Sequence, residues 1–321
     1  MNTKKTLLGL ALAFCAAVGA QTYPGDKPVT MVVPFPPGGS TDAIARVLAL
    51  ELPKKLGGTW IVDNKPGATG TIGAAFVKRA PADGYTLFVS SLGPFVIAPH
   101  LIKGVQYDAL KDLDPITVVV QAPNVLVVPA ASPYKSVAEL LAGLKKTPAK
   151  VSFASSGNGS SDHLSAELFW QQSGTEGLHV PYKGGGPAIN DLLGNQVDSA
   201  FVNINSIIQH IKAGKVRALA VSSLKRSTLL PDVATLDELG VKGAEVQSWQ
   251  AVAAPRGVPA DIKSRLQAAI AAAMNDPTVR DKLVAQGFEI VANTPEQFAR
   301  FQAAEYAKWK QLIETRKITA D

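Results

Sequence analysis

Apolar and polar residues fall in blocks along this chain, and the blocks repeat one unit. A short apolar run of strand length breaks at a glycine-rich turn, and a segment with helical spacing follows. Val29–Phe35, Trp60–Asp63 and Thr86–Ser90 are predicted as buried strands, with helices over Ala43–Lys55 and Ile72–Arg79 between them. A second set has strands at Val151–Ala154, Leu178–Val180, Asp198–Val202 and Ala218–Ser222, and helices at Leu164–Gln172 and Ala188–Leu193. Such alternation indicates an α/β fold with parallel sheets covered on both faces. Between the sets, the β-rich stretch Ile116–Val128 is interrupted at Ala122-Pro123-Asn124 and reads as a hinge crossing, with a return crossing expected between Ser222 and Ala253. The division that follows is a first lobe of residues 21–123 plus 246–321 and a second of residues 124–245.

Local signals support this frame. Ser136 with Glu139, Thr235 with Glu238, and Thr294 with Pro295 and Gln297 have the spacing of helix-capping boxes. Ile262, Leu266, Ile270 and Met274 step along one helix face, and Phe298, Phe301, Trp309 and Leu312 trace a stripe on the last helix. Both stripes are read as core.

The first twenty residues change the setting. Lys4 and Lys5 precede the apolar run Leu7–Val18, and Val18-Gly19-Ala20 offers small residues for cleavage, the pattern of a secretory signal. The run is shorter than the ~20 residues of a spanning helix. The predicted location is therefore periplasmic, with the mature chain starting near Gln21. Removing 20 of 321 residues leaves 301 and lowers the net charge from +6 to +4, since Lys4 and Lys5 go with the signal. Cys15, the single cysteine, lies inside that segment, so disulfides, Cys-ligated zinc and Cys nucleophiles are not expected. The basic residues are spread without interleaved aromatics, which argues against nucleic-acid binding. His100, His179 and His210 lack acidic partners at metal-ligand spacing. No metal and no cofactor is expected.

Candidate chemistry gathers at four strand-to-helix junctions: Pro34–Asp42 (PFPPGGSTD), Lys65–Gly73 (KPGATGTIG), Ser155–His163 (SSGNGSSDH) and Tyr182–Asp191 (YKGGGPAIND). Each leaves the first amides of a helix unpaired at the positive end of its dipole, a setting for an anion. In open α/β sheets ligands bind at these carboxyl ends of strands. Gly38 and Gly39 allow close backbone approach, and Ser40 and Thr41 serve either as ligand donors or as N-caps, with Asp42 assigned to capping. Neither Gly67, Gly70 and Gly73 nor Gly157-Asn158-Gly159 completes a dinucleotide fingerprint, and no Walker A sequence occurs. A carboxylate needs only a few well-aimed donors. Ser155, Ser156 and Ser160 are candidate donors from the second lobe, Tyr182 lines the cleft or supports its turn, and Asn203 is a polar contact at a strand end. Lys183 either pairs with a second carboxylate or is solvated. A secreted hydrolase using Ser156 or Ser160 with His163 is the enzymatic alternative, although G-x-S-x-G is absent.

The segments YPGDKPVTMVVPFPPGGSTDAIAR, VDNKPGATGTIGAAFVKRAPADGYTLF, HVPYKGGGPAINDLLGNQVD, VRALAVSSLKRSTLLPDVATLDELG and WQAVAAPRGVP resemble, in order, the motifs of the Bug family, the extracytoplasmic solute receptors of tripartite tricarboxylate transporters. The resemblance covers essentially the whole mature chain. It implies a two-lobed type II periplasmic binding protein fold with a hinge of two crossovers, no enzymatic activity, and a small organic acid as ligand. It implies membrane transporter subunits as partners and a monomeric receptor; a sensory module reporting to a membrane kinase would use the same site. By the same resemblance, one carboxylate is held mainly through backbone groups of Phe35, Pro36, Gly38, Gly39, Ser40 and Thr41 and of Gly67, Ala68, Thr69 and Gly70. Contacts from the other lobe fall on Ser155, Ser156 and Ser160 and near Tyr182. Thr69 and Asn195 stand where the family often has glycine, and Ala234 where it often has proline.

Overall fold

The computed structural model describes residues 23–320. The expected signal segment, with Cys15, lies outside the described residues. The first unit runs β1 (Val29–Val33), α1 (Ser40–Leu56), β2 (Trp60–Asn64), α2 (Thr71–Lys78) and β3 (Thr86–Ser91). β1 lies between β2 and β3, parallel to both, with Val29 opposite Trp60 and Thr30 opposite Thr86. A wide turn at Gly93–Ile97 leads into the short α3 (Ala98–Leu101) and on to β4 (Leu113–Pro129).

The second unit comprises α4 (Val137–Lys146), β5 (Ser152–Ser155), α5 (Ser161–Ser173), β6 (Leu178–Pro181), α6 (Gly185–Leu193), β7 (Ser199–Asn203), α7 (Ile204–Lys212) and β8 (Val216–Val221). The chain returns through β9 (Gln247–Pro255) and ends with α8 (Ala260–Met274), α9 (Pro277–Ala285), β10 (Glu289–Ile290) and α10 (Pro295–Arg316). The strand order is β2-β1-β3-β9-β4-β7-β5-β6, with β8 and β10 also paired to β4.

Three features differ from the sequence reading. The stretch at Ala122-Pro123-Asn124 is not an interruption, because β4 is one strand of 17 residues. It pairs antiparallel with β9 as far as Pro123, opposite Gln247, and from Asn124 onward with β7 and β8. The proline, which has no N–H to give, thus sits where the strand exchanges partners. The Asn124 amide goes to Ser222 Oγ at 2.9 Å. The second difference is that β9 runs antiparallel to both β3 and β4, so the sheet is mixed rather than all-parallel. Helix α6 also begins at Gly185, three residues before the expected start at Ala188. Pro187 still falls in the first turn, where its missing N–H costs nothing.

Leu266, Ile270 and Met274 of α8 are fully buried, as are Phe298 and Trp309 of α10. Phe95 anchors an aromatic cluster, stacked on Trp249 with centroids 5.6 Å apart and edge-on to Phe298 at 5.6 Å. Such pairs add to the area buried by the rings themselves. Thr294 and Gln297 form a full capping box on α10. Thr235 and Glu238 also close reciprocally, with Thr235 N donating to Glu238 Oε2 at 2.7 Å and Glu238 N to Thr235 Oγ1 at 3.1 Å. There the box closes a run of turns rather than a helix, and Gly240 follows at φ +86.

Candidate functional site

The first junction leaves β1 at Val33 and enters α1 through Gly39, an N-cap with no side chain, so the first-turn amides of α1 have no side-chain acceptor. Pro36, Gly38 and Gly39 are exposed, while Phe35 and Ser40 are half-buried. Ser40 Oγ is itself buried without a hydrogen-bond partner. Beneath the loop, Asp42 accepts from Gly38 N at 2.9 Å, Arg46 Nε at 2.8 Å and Asn64 Nδ2 at 3.0 Å. Burial opposes its charge, but these donors outweigh burial and hold the carboxyl below its usual range. Asp42 therefore braces the loop through Gly38 N and does not cap α1, which differs from its assignment to capping.

The second junction has four consecutive residues in the left-handed region: Gly67 (φ +131), Ala68 (φ +46), Thr69 (φ +52) and Gly70 (φ +87). For a β-branched residue such as Thr69 this is unusual, and it is a conformation that glycine takes without strain. Asn195 has φ +56, a conformation asparagine tolerates. The two loops pack on each other, since a Cβ on Gly73 would lie 2.8 Å from Pro34 Cβ. Lys65 is committed to Asp63 at 2.9 Å and to the face of Phe76 at 4.4 Å. Gly70, the N-cap of α2, again offers no side chain.

In the third junction Ser155 is buried, and its hydroxyl meets His179 Nε2 at 2.7 Å and accepts from Gly157 N at 3.1 Å. Ser156 N donates to Asp162 Oδ2 at 3.1 Å. Ser160 caps α5, accepting from His163 N at 3.2 Å. Asp162 has hydrogen-bond donors around it but no cation, and burial pushes its carboxyl above the ordinary range in spite of them. The fourth junction packs on the third: Tyr182 N donates to Ser155 O at 3.0 Å and Gly184 N to Ser156 O at 3.1 Å. Gly184 (φ +108) opens α6 without a side-chain cap. The Tyr182 hydroxyl donates to Asp191 at 2.6 Å, a bond that, with burial, pushes its pKa up to about 12. Lys183 is exposed and joins no ion pair among the described residues. Asn203, the N-cap of α7, turns Nδ2 to Asn124 Oδ1 and to Ser161 Oγ at 3.2 Å.

The two pairs of loops face each other. A Cβ on Gly159 would lie 2.7 Å from Leu101 Cδ1, 3.2 Å from Ile97 Cγ2 and 3.9 Å from Thr69 Cγ2. Glycine at 159 is what permits this approach, and its φ of +74 favours glycine as well. Ile97 and Leu101 escaped sequence reasoning because their apolar pattern reads as ordinary core.

A family model described as "Tripartite tricarboxylate transporter family receptor" matches residues 44–318. The chain belongs to this family. It is 40% identical to Protein BugT of Bordetella pertussis over 319 residues, 98% of each chain. A protein of R. palustris, solved with adipate, superposes with a TM-score of 0.83 at 36% identity, covering 91% of this chain and 98% of that one. MatC from Rhodopseudomonas palustris, solved with bound malate, gives 0.80 at 31% identity, covering 89% and 98%. The tripartite tricarboxylate receptors are periplasmic solute-binding proteins rather than enzymes, and the mixed α/β fold described above is theirs.

The geometry around His163 agrees with a receptor rather than a hydrolase. Its Nδ1 accepts from Gly159 N at 3.1 Å, and its Nε2 faces Glu167 Oε1 at 3.5 Å. No serine hydroxyl contacts the ring among the described residues, so the nucleophile–base pair that serine catalysis requires is absent there. Among the described residues, no three His, Cys, Asp or Glu side chains are grouped to hold a metal, and no helix is long and apolar enough to cross a membrane.

Proposed function

We propose that this receptor captures an organic carboxylate between a first lobe (residues 21–123 and 246–321) and a second (124–245) and presents it, as a monomer, to the membrane subunits of a tripartite transporter. The observation that carries the reading is that three helices, α1, α2 and α6, start without side-chain caps on loops that pack in pairs, Gly73 against Pro34 and Gly184 against Ser156, and that meet where Gly159 approaches Leu101 and Thr69. Unpaired amides at the positive ends of helix dipoles are complementary to a small anion such as a carboxylate. That relatives were solved with adipate and with malate supports the same ligand class.

In this reading the amides of Phe35, Gly39, Ser40 and Thr41 and of Gly67–Thr69 hold one carboxylate, and the unpartnered Ser40 hydroxyl adds a donor, while the Gly38 and Gly70 amides, given to Asp42 and to Gly67 O, shape the two loops. From the other side come Ser160, whose oxygen accepts from His163 N and whose proton is left to give, Ser156, whose hydroxyl is shared with Asp162, and the exposed Lys183. Asn203 stands behind them. The hydroxyls of Ser155 and Tyr182 are engaged within the protein, so these two act by shaping the loops. Ligand bridging both lobes favours the closed arrangement by its differential contacts, and no bond is made or broken.

Titration calorimetry of the mature protein against mono-, di-, tri- and aromatic carboxylates tests this. One class should bind with 1:1 stoichiometry. Silence across the whole panel would refute the proposal.

A further inference from the structure

An unbroken line of contacts runs from the third loop to the end of the last helix. The Gly159 amide donates to His163 Nδ1 at 3.1 Å, so the ring proton of the neutral imidazole sits on Nε2. Nε2 faces Glu167 Oε1 at 3.5 Å. The other oxygen, Oε2, accepts from Arg316 Nε at 2.7 Å, and the rest of that guanidinium grips Glu176 through two bonds of 3.1 and 2.9 Å. His163 is also stacked on His179, with centroids 3.8 Å apart and planes 4° from parallel. His179 in turn meets the Ser155 hydroxyl that accepts from Gly157 N. Both glycine amides of the loop are thus tied to the histidine pair, one directly and one through Ser155.

Neither glycine can hold itself in place. Gly157 (φ +129) and Gly159 (φ +74) sit in a region where glycine alone moves freely. A loop that must present Ser156 and Ser160 across a cleft gains affinity if it is ordered before the ligand arrives. We propose that His163 is a positioning residue for ligand capture: it orders the loop of residues 155–160 by accepting the Gly159 amide, with its ring held in the working tautomer by Glu167 and, behind it, Arg316. The inference rests on the carboxylate-capture reading above for its effect on affinity, and on the loop geometry alone for its effect on order.

Two substitutions separate the two ends of the ring. His163→Asn keeps an acceptor near the position of Nδ1 and loses the contact with Glu167, whereas His163→Gln keeps the reach toward Glu167 and loses the acceptor. With adipate and malate as probes, H163Q should bind about tenfold more weakly than wild type, and H163N should stay within about threefold, since a lost positioning hydrogen bond is worth about one decade. Hydrogen exchange at the Gly159 amide should accelerate in H163Q and stay slow in H163N. In the wild-type protein, side-chain 15N NMR of His163 should report the Nε2–H tautomer with Nδ1 accepting.

Equal affinities and equal exchange in the two variants, or the opposite tautomer in the wild type, would overturn the proposal. The tautomer measurement needs no variant, so it decides even if H163Q fails to fold. If neither probe nor any other carboxylate binds the wild type, the capture reading fails, while exchange and tautomer still decide whether His163 orders the loop.

Discussion

Gly159 and Leu101, 58 residues apart in the chain, approach so closely that a Cβ on the glycine would stand 2.7 Å from Leu101 Cδ1. Gly159 belongs to the serine-rich loop before α5, and Leu101 ends α3, so this is where the two sets of loops touch. Gly159→Ala should weaken carboxylate binding about tenfold by blocking that approach and straining φ, each effect being worth on the order of 1 kcal/mol. Adding Leu101→Ala should recover the steric part only. Calorimetry of the two single variants and the double variant checks this; failure of the second change to recover any affinity would place the damage in the backbone alone.

Asp42 joins loop, helix and neighbouring strand through Gly38, Arg46 and Asn64. Asp42→Ala should cost about 2 kcal/mol in chemical denaturation, because it leaves the Gly38 amide without its acceptor and the Asn64 amide with Phe35 O alone. The carboxyl is held below 3.8, so its contribution is complete above that value and is lost as the pH falls through the lower, folded-state value.

His179 responds to acid in the same direction but in a higher pH window. Burial, and then the neighbouring His163, lower its pKa from 6.5 to about 4. Below pH 6.5 the unfolded chain takes a proton that the folded protein refuses, so stability should decline from there to about pH 4 and then level off. The full effect is about 3 kcal/mol by linkage. Urea midpoints across that range should fall more steeply for wild type than for His179→Gln, and parallel curves would count against the assignment.

Lys183 is exposed, and the proposed site assigns it to the far end of a ligand. Lys183→Gln should weaken dicarboxylates several-fold more than monocarboxylates, the difference shrinking with added salt as expected of an exposed charge. Equal losses for both classes would remove Lys183 from the site.

Much of this arrangement could be read from the chain. The glycine-rich turns announce themselves because the residue types that permit them are few, and β1, β2 and α1 lie close to where their patterns begin and end. Strand β9 was not anticipated, since Ser248, Gln250 and three alanines dilute the β-branched signal of a strand buried between β3 and β4. The reading of a break at Pro123 failed for a related reason: proline disfavours a ladder in general, but here it meets a point where the ladder changes hands. The histidine stack was invisible because His163 and His179 are brought together by α5 and β6, and no local spacing encodes that meeting.

The continuity of β4 has a mechanical meaning. A floppy connector would let the halves drift apart and would have to be re-ordered each time they met. A pleated ribbon 17 residues long, hydrogen-bonded to β9 on one side of Pro123 and to β7 and β8 on the other, can only flex. Any swing between the halves is therefore elastic and narrow in direction. Little of the energy released on capture need be spent on aligning the jaws.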